Sequence, residues 1–283
     1  MARLTRENEE YKVLQDQAFK ERIHQANVSV HQIEAQYYEL LHPEVYSKRE
    51  QKRVTSKLQM IDKLVTDNRK NALDVGAGTG NLTGKLLQMG YTVTAVDISA
   101  EMCAILKRKY RDYLLNSKLA VVCSPIEDLA FKAGKFDLIT CYSVLHHLPD
   151  YLGALRSLSV FLKKGGVIYI DHEASPFYWK TERSSLANLI KGIYLHSNPL
   201  LNSVFFQITG LRVPSIDYRL SDYWYKKEHA LNHSSIQQTL KEENYASATR
   251  TDYYETSTWL PNPLSVIYRL ICSPEMSCWV AKK

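Results

Sequence analysis

Hydrophobic residues along the chain follow two different spacings, and the alternation between them predicts a layered α/β fold. Short apolar runs rich in Val, Ile and Leu are typical of buried strands, and they lie at 71–75, 91–96, 119–123, 136–142 and 167–171. Between them, apolar residues recur every three or four positions, as in helices, at 82–89, 99–115 and 151–162. This order of strand and helix predicts a parallel sheet with helices on both faces.

Segments on either side of this alternating region have other patterns. Sparse apolar positions at helical spacing predict N-terminal helices over 1–35 and 44–66, the second with Pro43 in its first turn. Towards the C-terminus, we expect a helix over 234–243 capped by Ser234, a short helix over 263–271, and two strands over 246–254 and 277–281. The predicted organisation is an N-terminal helical segment, a core, an insertion without strand–helix alternation and a C-terminal part of the core, over 1–70, 71–174, 175–233 and 234–283.

Composition limits the classes of protein to which the chain can belong. Its 283 residues are 45% hydrophobic, enough for a sizeable core, and 36 basic against 30 acidic residues give a net charge of +6, too weak to indicate nucleic acid. The five cysteines form no CxxC pair, so we expect free thiols rather than a disulfide framework or a zinc site. With no signal peptide and no apolar run of ~20 residues, the expected location is the cytoplasm.

A glycine-rich loop follows the first predicted strand and opens a helix, in the stretch Asp74-Val75-Gly76-Ala77-Gly78-Thr79-Gly80. Glycines in this context permit a sharp turn and the close approach of a nucleotide-type ligand. The spacing differs from the GxGxxG of dinucleotide loops, since Asn81 stands where the third glycine would be. Asp74 would repel a pyrophosphate but pair with an ammonium, and Asp97 closes the second strand, where an acid accepts ribose hydroxyls. A nucleoside ligand with a cationic amino-acid tail fits both facts.

At this point the chain resembles the class I S-adenosylmethionine-dependent methyltransferases, in particular the small-molecule branch called type 11/12. The resemblance covers residues 71–173 and, in outline, 234–283. It implies a Rossmann-like, seven-stranded, mostly parallel sheet whose last strand is antiparallel. The cofactor it implies is S-adenosylmethionine, leaving as S-adenosylhomocysteine, held by Asp74, Gly76, Ala77, Gly78, Thr79, Gly80, Asp97, Ile98, Met102, Pro125, Ile126, Glu127, Cys141, Tyr142 and His146. Where relatives carry an Asp-Ala type pair beside the adenine, this chain has Pro125-Ile126, so Glu127 or a backbone carbonyl would replace the usual acceptor.

Candidates for the chemistry lie at the ends of strands and in the segments that would cover the donor. Methyl transfer from a sulfonium needs alignment and, for some acceptors, removal of a proton, so a base is optional. We predict His172, His146 and Tyr37 as catalytic residues, against the alternative that each has a structural role. Substrate contacts are predicted at Tyr38, Glu173, Tyr223, Trp224 and His229.

The function predicted from these features is methyl transfer to oxygen, nitrogen or an activated carbon of a small molecule. No Asn/Asp-Pro-Pro-Tyr/Phe motif occurs, which counts against methylation of nucleic-acid bases. The apolar insertion favours an aromatic, glycosylated or lipid-like acceptor, or a homodimer interface. Two alternatives stay open: a non-catalytic subunit that binds S-adenosylmethionine, and an NAD(P)-dependent oxidoreductase, against which the glycine spacing counts.

Overall fold

The computed structural model describes residues 16–65, 70–178, 215–225, 230–255 and 264–283. Within these ranges seven strands form one sheet in the order β3-β2-β1-β4-β5-β7-β6. In chain order, β1 to β7 are Asn71–Val75, Thr92–Asp97, Leu119–Cys123, Phe136–Tyr142, Leu162–Ala174, Ser247–Tyr253 and Met276–Lys282.

The directions of the strands confirm the predicted fold. Strands β1 to β5 pair in parallel, and β7 pairs antiparallel with both β5 and β6. Only β7 is therefore reversed in a sheet that is otherwise parallel. The strand order changes direction beside β1, between β1 and β4, and an open α/β sheet places its ligand crevice at such a switch point, outside the carboxyl ends of the strands.

Helices cover the sheet and its carboxyl edge. The described α-helices, α1 to α11, are Gln17–Glu34, Tyr38–Leu41, Pro43–Tyr46, Lys48–Asp62, Asn81–Gln88, Ala100–Lys109, Arg111–Leu115, Tyr151–Phe161, Ser215–Ser221, His233–Glu242 and Leu264–Ile271. Single turns of 3₁₀ helix lie at Ala35–Tyr37, Ile126–Asp128, Leu145–His147 and Tyr223–Tyr225. No helix among the described residues is both long and apolar enough to cross a membrane.

The core has two parts, one on each face of the sheet. Successive residues of a strand point to opposite faces, so Leu73 and Val75 pack on one side and Ala72 packs on the other. Residues of α8 and α10 cover the first face, and residues of α4 and α5 cover the second. The sheet is thus buried between two helical layers, and its carboxyl edge stays available for a ligand.

Several element boundaries differ from the predictions for local reasons. The helix expected over 44–66 is broken at Ser47, whose extended backbone and side chain cap α4 by accepting the N–H of Glu50. The helix expected over 99–115 divides at Tyr110. Asn232, not Ser234, caps α10, because its side chain accepts the N–H groups of Ser234 and Ser235. The apolar stretches of the insertion, 186–195 and 200–211, lie outside the described residues.

Candidate active site

A cleft opens at the carboxyl ends of β1, β2 and β4, where the strand order predicts one. The volume of the cleft, including the part open to solvent, is about 700 Å³. This volume is within the ordinary range for small-molecule sites. The β2 side contributes Asp97, Ile98 and Met102, and the segment after β3 contributes Ser124 to Glu127. The remaining wall is formed by His24, Asn27, His31, Tyr38, Gly76, Gly78, Val96, Tyr142, Ser143, Val144, His147 and Leu148.

The glycine loop between β1 and α5 shows which of its glycines face the cleft. A Cβ atom on Gly76 would lie 2.4 Å from a methyl of Val144, and one on Gly80 would lie 2.5 Å from the ring of Tyr110. Gly78 has a φ of +53°, and a Cβ there would meet no atom within 4 Å. Packing therefore explains Gly76 and Gly80, whereas Gly78 leaves room beside the loop for a ligand.

Asp97 is fixed at the end of β2 by two backbone donors. Its Oδ2 accepts the N–H of Gly78 at 2.7 Å, and its Oδ1 accepts the N–H of Ser99 at 2.9 Å. Burial raises the pKa of this carboxyl, and His31 and the backbone donors oppose that effect. The glycine loop and the acid are thus joined in one rigid unit that presents carboxylate oxygens to the cleft.

Asp74 has a different environment from the one expected. It is buried, and its two oxygens accept the hydroxyls of Thr83 at 2.6 Å and Thr140 at 2.7 Å. Burial raises its pKa to about 6 despite these donors. Asp74 borders a smaller cavity beside the loop, which Ala77 and Thr79 also line, but its oxygens tie the loop to α5 and β4. Pairing with a ligand ammonium stays a prediction.

One wall of the cleft comes from the N-terminal helix α1, which the sequence analysis did not assign to the site. His24, Asn27 and His31 line the cleft at spacings of three and four residues. Buried Asn27 donates from Nδ2 to the carbonyl of His147 at 2.9 Å, and His24 lies 3.4 Å from Glu127. These three polar residues lie on one face of the helix, and that spacing is the signal in the sequence that could have indicated them.

His147 lines the cleft, whereas its neighbour His146, which was predicted from the sequence, does not. Its Nδ1 lies 2.8 Å from the carbonyl oxygen of Ser221, so Nδ1 carries the proton and Nε2 keeps its lone pair. Burial, with the neighbouring His146 and His31, lowers the pKa of His147 well below its ordinary value. The ring is therefore neutral at physiological pH and has a free lone pair at Nε2, while the same burial reduces its basicity.

The predicted catalytic His146 and the predicted substrate contact Glu173 lie behind this wall. His146 is buried, and its Nδ1 lies 2.7 Å from Oε2 of Glu173. The other oxygen of Glu173 accepts the N–H groups of Val144 and Leu145 at 2.9 and 2.8 Å. The pair therefore holds the 3₁₀ turn that carries His147 and does not line the cleft.

His172, the other predicted catalytic histidine, is also behind the cleft. It is buried at an irregularity of β5 with a φ of +62°, and its ring stacks on Tyr142 with centroids 5.0 Å apart. Its Nε2 lies 2.7 Å from a carboxylate oxygen of Glu255. Burial opposes the charged form, but Glu255 prevails and raises the pKa of His172 to about 9. The imidazole thus supports Tyr142, which does line the cleft.

The remaining predicted site residues divide into those at the cleft and those in the core. Tyr38 lines the cleft, and the neighbouring Tyr37 does not. Trp224 is buried in the core, where its indole N–H donates to the carbonyl of Leu148 at 2.7 Å, and Tyr223 packs on Phe19. Cys141 is fully buried inside the sheet. His229 lies outside the described residues.

Comparisons with known proteins agree with this geometry. A family model described as a methyltransferase domain matches residues 73–170. A ubiquinone biosynthesis O-methyltransferase of Coxiella burnetii is 34% identical over 115 residues, covering 41% of this chain and 48% of that protein. One from Vibrio parahaemolyticus is 36% identical over 103 residues, covering 36% and 43%. The chain thus spans about half the length of the curated relatives it matches.

Solved structures show the same fold at low sequence identity. A SAM-dependent methyltransferase from Archaeoglobus fulgidus superposes with a TM-score of 0.55 at 15% identity, covering 87% of this chain and all of that one. The plantazolicin methyltransferase BpumL, solved in complex with SAH, gives 0.51 at 15% identity, covering 94% and 99%. Residues 73–170 thus match a methyltransferase-domain model, and the described sheet has the same fold as these solved methyltransferases.

Proposed function

We propose that this chain, whose residues 73–170 match a methyltransferase-domain model, binds S-adenosylmethionine and transfers its methyl group to a hydroxyl of a small molecule. The observation that carries the proposal is the contact between Gly78 and Asp97. Gly78 leaves room for a ligand, and its N–H holds the Asp97 carboxylate beside that room. The sequence match to O-methyltransferases, and the SAH bound in a structural neighbour, support this choice of donor.

The residues of the cleft suit the parts of such a donor. Asp97 would accept the two ribose hydroxyls, and the apolar side chains of Ile98, Met102 and Ile126 would flank the adenine. Glu127 lines the same end and is the side-chain candidate for the adenine amine, since Pro125-Ile126 stands where relatives carry an Asp-Ala type pair. When bound, S-adenosylmethionine supplies a methyl group already activated on a sulfonium.

The acceptor side of the cleft contains the means to remove a proton. We place the acceptor oxygen beside Nε2 of His147, which takes the hydroxyl proton while the oxygen approaches the methyl carbon in line with the sulfur. Ser221 fixes the tautomer through Nδ1, so the accepting nitrogen is defined before the substrate arrives. Tyr38, Tyr142 and His31 add rings to the same cleft, which favours an aromatic acceptor.

The first test is calorimetric titration of the purified chain with S-adenosylmethionine, S-adenosylhomocysteine and, as a control, NADH. We expect micromolar binding of the first two and none of NADH, and preferential binding of NADH would favour the oxidoreductase. In Asp97→Ala the loss of a charged hydrogen-bond acceptor should cost about 1.5–3 kcal/mol of binding free energy. Unchanged affinity in that variant would contradict the ribose assignment.

The second test separates an enzyme from a non-catalytic binding subunit and oxygen from nitrogen as the acceptor atom. The chain is incubated with methyl-labelled donor and either catechol derivatives or the matched ortho-diamines. We expect label on the catechols. Transfer only to the diamines would overturn the choice of oxygen, and donor binding without transfer to any small-molecule acceptor would favour the non-catalytic subunit. A homodimer, predicted from the insertion, stays a proposal that light scattering can decide.

A further inference from the structure

Two cysteines meet at the end of β2, beside the cleft but outside its wall. Cys103 lies in the first turns of α6, and Cys123 is the last residue of the edge strand β3. The register of the sheet pairs Cys123 with Asp97, which brings the end of β3 level with the end of β2. The sulfur atoms of one helix residue and one strand residue thus both lie at the end of β2.

Both sulfur atoms contact backbone carbonyl oxygens at the ends of β2 and β3. Sγ of Cys103 lies 3.7 Å from the carbonyl oxygen of Asp97 and 3.9 Å from that of Val122. Sγ of Cys123 lies 3.8 Å from the carbonyl oxygen of Ile98. Burial raises the pKa of the Cys103 thiol to about 12, and the neighbouring Asp97 and Cys123 add to this rise. Asp97 and Ile98 line the cleft, so both thiols rest on its outer side.

The two thiols differ in their access to solvent. Cys103 is 2% exposed, whereas Cys123 is exposed at the sheet edge. None of the five cysteines is in a disulfide. A solvent oxidant would therefore meet Cys123 first, with Cys103 directly behind it. An exposed thiol next to a second thiol is the arrangement in which oxidation ends in a disulfide.

We propose that Cys103 and Cys123 form an oxidative modification site, in which a peroxide converts the two thiols into a disulfide that weakens binding in the neighbouring cleft. The effect on donor binding rests on the function proposed above, whereas the formation of the bond does not.

The reaction balances with hydrogen peroxide as the oxidant. The Cys123 sulfur attacks one peroxide oxygen, the O–O bond breaks, and the products are a sulfenic acid and water. The Cys103 sulfur then attacks the Cys123 sulfur, the S–O bond breaks, and the hydroxyl leaves as a second water with the Cys103 proton. Two electrons pass from the two sulfurs to the peroxide. A thiol reductant returns them by exchange.

Bond formation would move the end of β2. A disulfide holds its sulfur atoms about 2.05 Å apart, much closer than two thiols in contact. The sulfur atoms would give up their present positions on the carbonyls of Asp97 and Ile98, and the helix and strand that carry them would be drawn together. Because Asp97 also holds Gly78, such a shift reaches the glycine loop.

The experiment treats the full chain with hydrogen peroxide and maps its peptides without reduction. We expect one Cys103–Cys123 cross-link, reversed by dithiothreitol and absent from Cys123→Ser. Cys272→Ser, which alters a half-buried cysteine directly after α11, is the matched control and should form the cross-link normally. Oxidation of Cys123 to sulfinic acid without a cross-link would overturn the proposal, as would a cross-link that involves other cysteines.

The effect on the cleft is measured by titrating S-adenosylhomocysteine into the reduced, oxidised and re-reduced forms. We expect at least a tenfold loss of affinity on oxidation in the wild type and in Cys272→Ser, none in Cys123→Ser, and full recovery after reduction. A mapped cross-link with unchanged affinity would overturn the coupling. If the reduced chain does not bind this ligand, the proposed function fails, and the cross-link still decides the modification site.

Discussion

At the scale of single residues, Gly78 provides a sharp test of the cleft, because its missing side chain leaves space that a ligand would need. In Gly78→Ala, the left-handed backbone should cost about 1–2 kcal/mol of folding free energy. The new methyl group would also enter the cleft, since no protein atom lies within 4 Å of its position. We expect a folded protein whose affinity for S-adenosylhomocysteine falls at least ~10-fold, measured by calorimetry.

Gly90 offers a matched control for this substitution. It has a φ of +88°, and a Cβ there would also meet no atom within 4 Å. Gly90 lies in the turn before β2, at the edge of the sheet opposite the cleft. Gly90→Ala should therefore show a comparable loss of stability with unchanged affinity. An equal loss of affinity in both variants would show that Gly78 does not face the ligand.

His147→Asn tests the proposed base while keeping its structural bond. An asparagine amide can still donate to the carbonyl of Ser221, as Nδ1 does now, but no nitrogen lone pair faces the acceptor. Loss of a general base should lower turnover about 10²–10⁴-fold. We expect this loss in a labelled-methyl assay, with donor affinity little changed. Near-normal turnover in His147→Asn would remove His147 from the mechanism.

At the scale of elements, the position of α1 decides whether the cleft is complete. Buried Asn27 joins the helix to the 3₁₀ turn through the carbonyl of His147, and its Oδ1 accepts the hydroxyl of Ser221 at 3.0 Å. Asn27→Ala should cost about 1–3 kcal/mol of folding free energy, because polar groups of two other segments lose a partner. Denaturant unfolding checks the cost, and titration should show weaker donor binding.

Gln25→Ala on the exposed face of α1 is the control for this variant. Gln25 bonds only within its own helix, to Glu21, among the contacts described for it. Its removal should change the stability by less than ~0.5 kcal/mol and leave donor affinity as it is. Both substitutions raise helix propensity, so similar losses in both variants would show that the contacts of Asn27 do not hold α1 in place.

Elements were predicted better than the contacts between them. The bounds of β1, β3 and β4 agree with the structure, because a buried strand needs a short apolar run and its flanking turns mark the ends. The sequence predicts one continuous helix over 44–66, which the structure divides at Ser47. The helical spacing of apolar residues continues past Ser47 and hides the cap that this residue forms. A serine cap of this kind can be recognised in the sequence only once the position of the turn is known.

The sequence indicates the glycine loop of the candidate site, but it does not indicate the residues that form the walls of the cleft. The difference has a physical reason. Gly78 lies in the loop after β1 and Asp97 ends β2, so the parallel pairing of these two consecutive strands brings them together. His147 follows β4, whereas His172 lies within β5, at the irregularity that turns its ring behind Tyr142. The approach of α1 to the sheet depends on tertiary packing, which no local pattern contains.

At the scale of the whole molecule, an ion pair between β5 and the segment after β6 makes stability depend on pH. The pKa of His172 rises from 6.5 to about 9 in the folded protein because of Glu255. A raised pKa stabilises the fold fully below pH 6.5, and that contribution is lost as the pH rises through about 9. A shift of this size corresponds to a free energy on the order of 3 kcal/mol.

We therefore expect the free energy of unfolding to fall more steeply between pH 6.5 and pH 9 in the wild type than in His172→Gln. Denaturant titrations at a series of pH values measure this difference. Glu255→Gln should flatten the same interval, since either partner alone loses the pair. Parallel curves for the wild type and both variants would contradict the assignment of the titration to this pair.

The antiparallel β7 also governs the order in which the sheet can be completed during synthesis. In the described sheet β6 lies at the edge and pairs only with β7, which leaves the ribosome about twenty residues later in the sequence. Until then the backbone of β6 has no neighbour and β5 has only β4, while β1 to β4 already have theirs. The polar composition of β6, Ser-Ala-Thr-Arg-Thr-Asp-Tyr, suits this interval, because a hydrophilic strand waiting for its partner attracts few wrong ones.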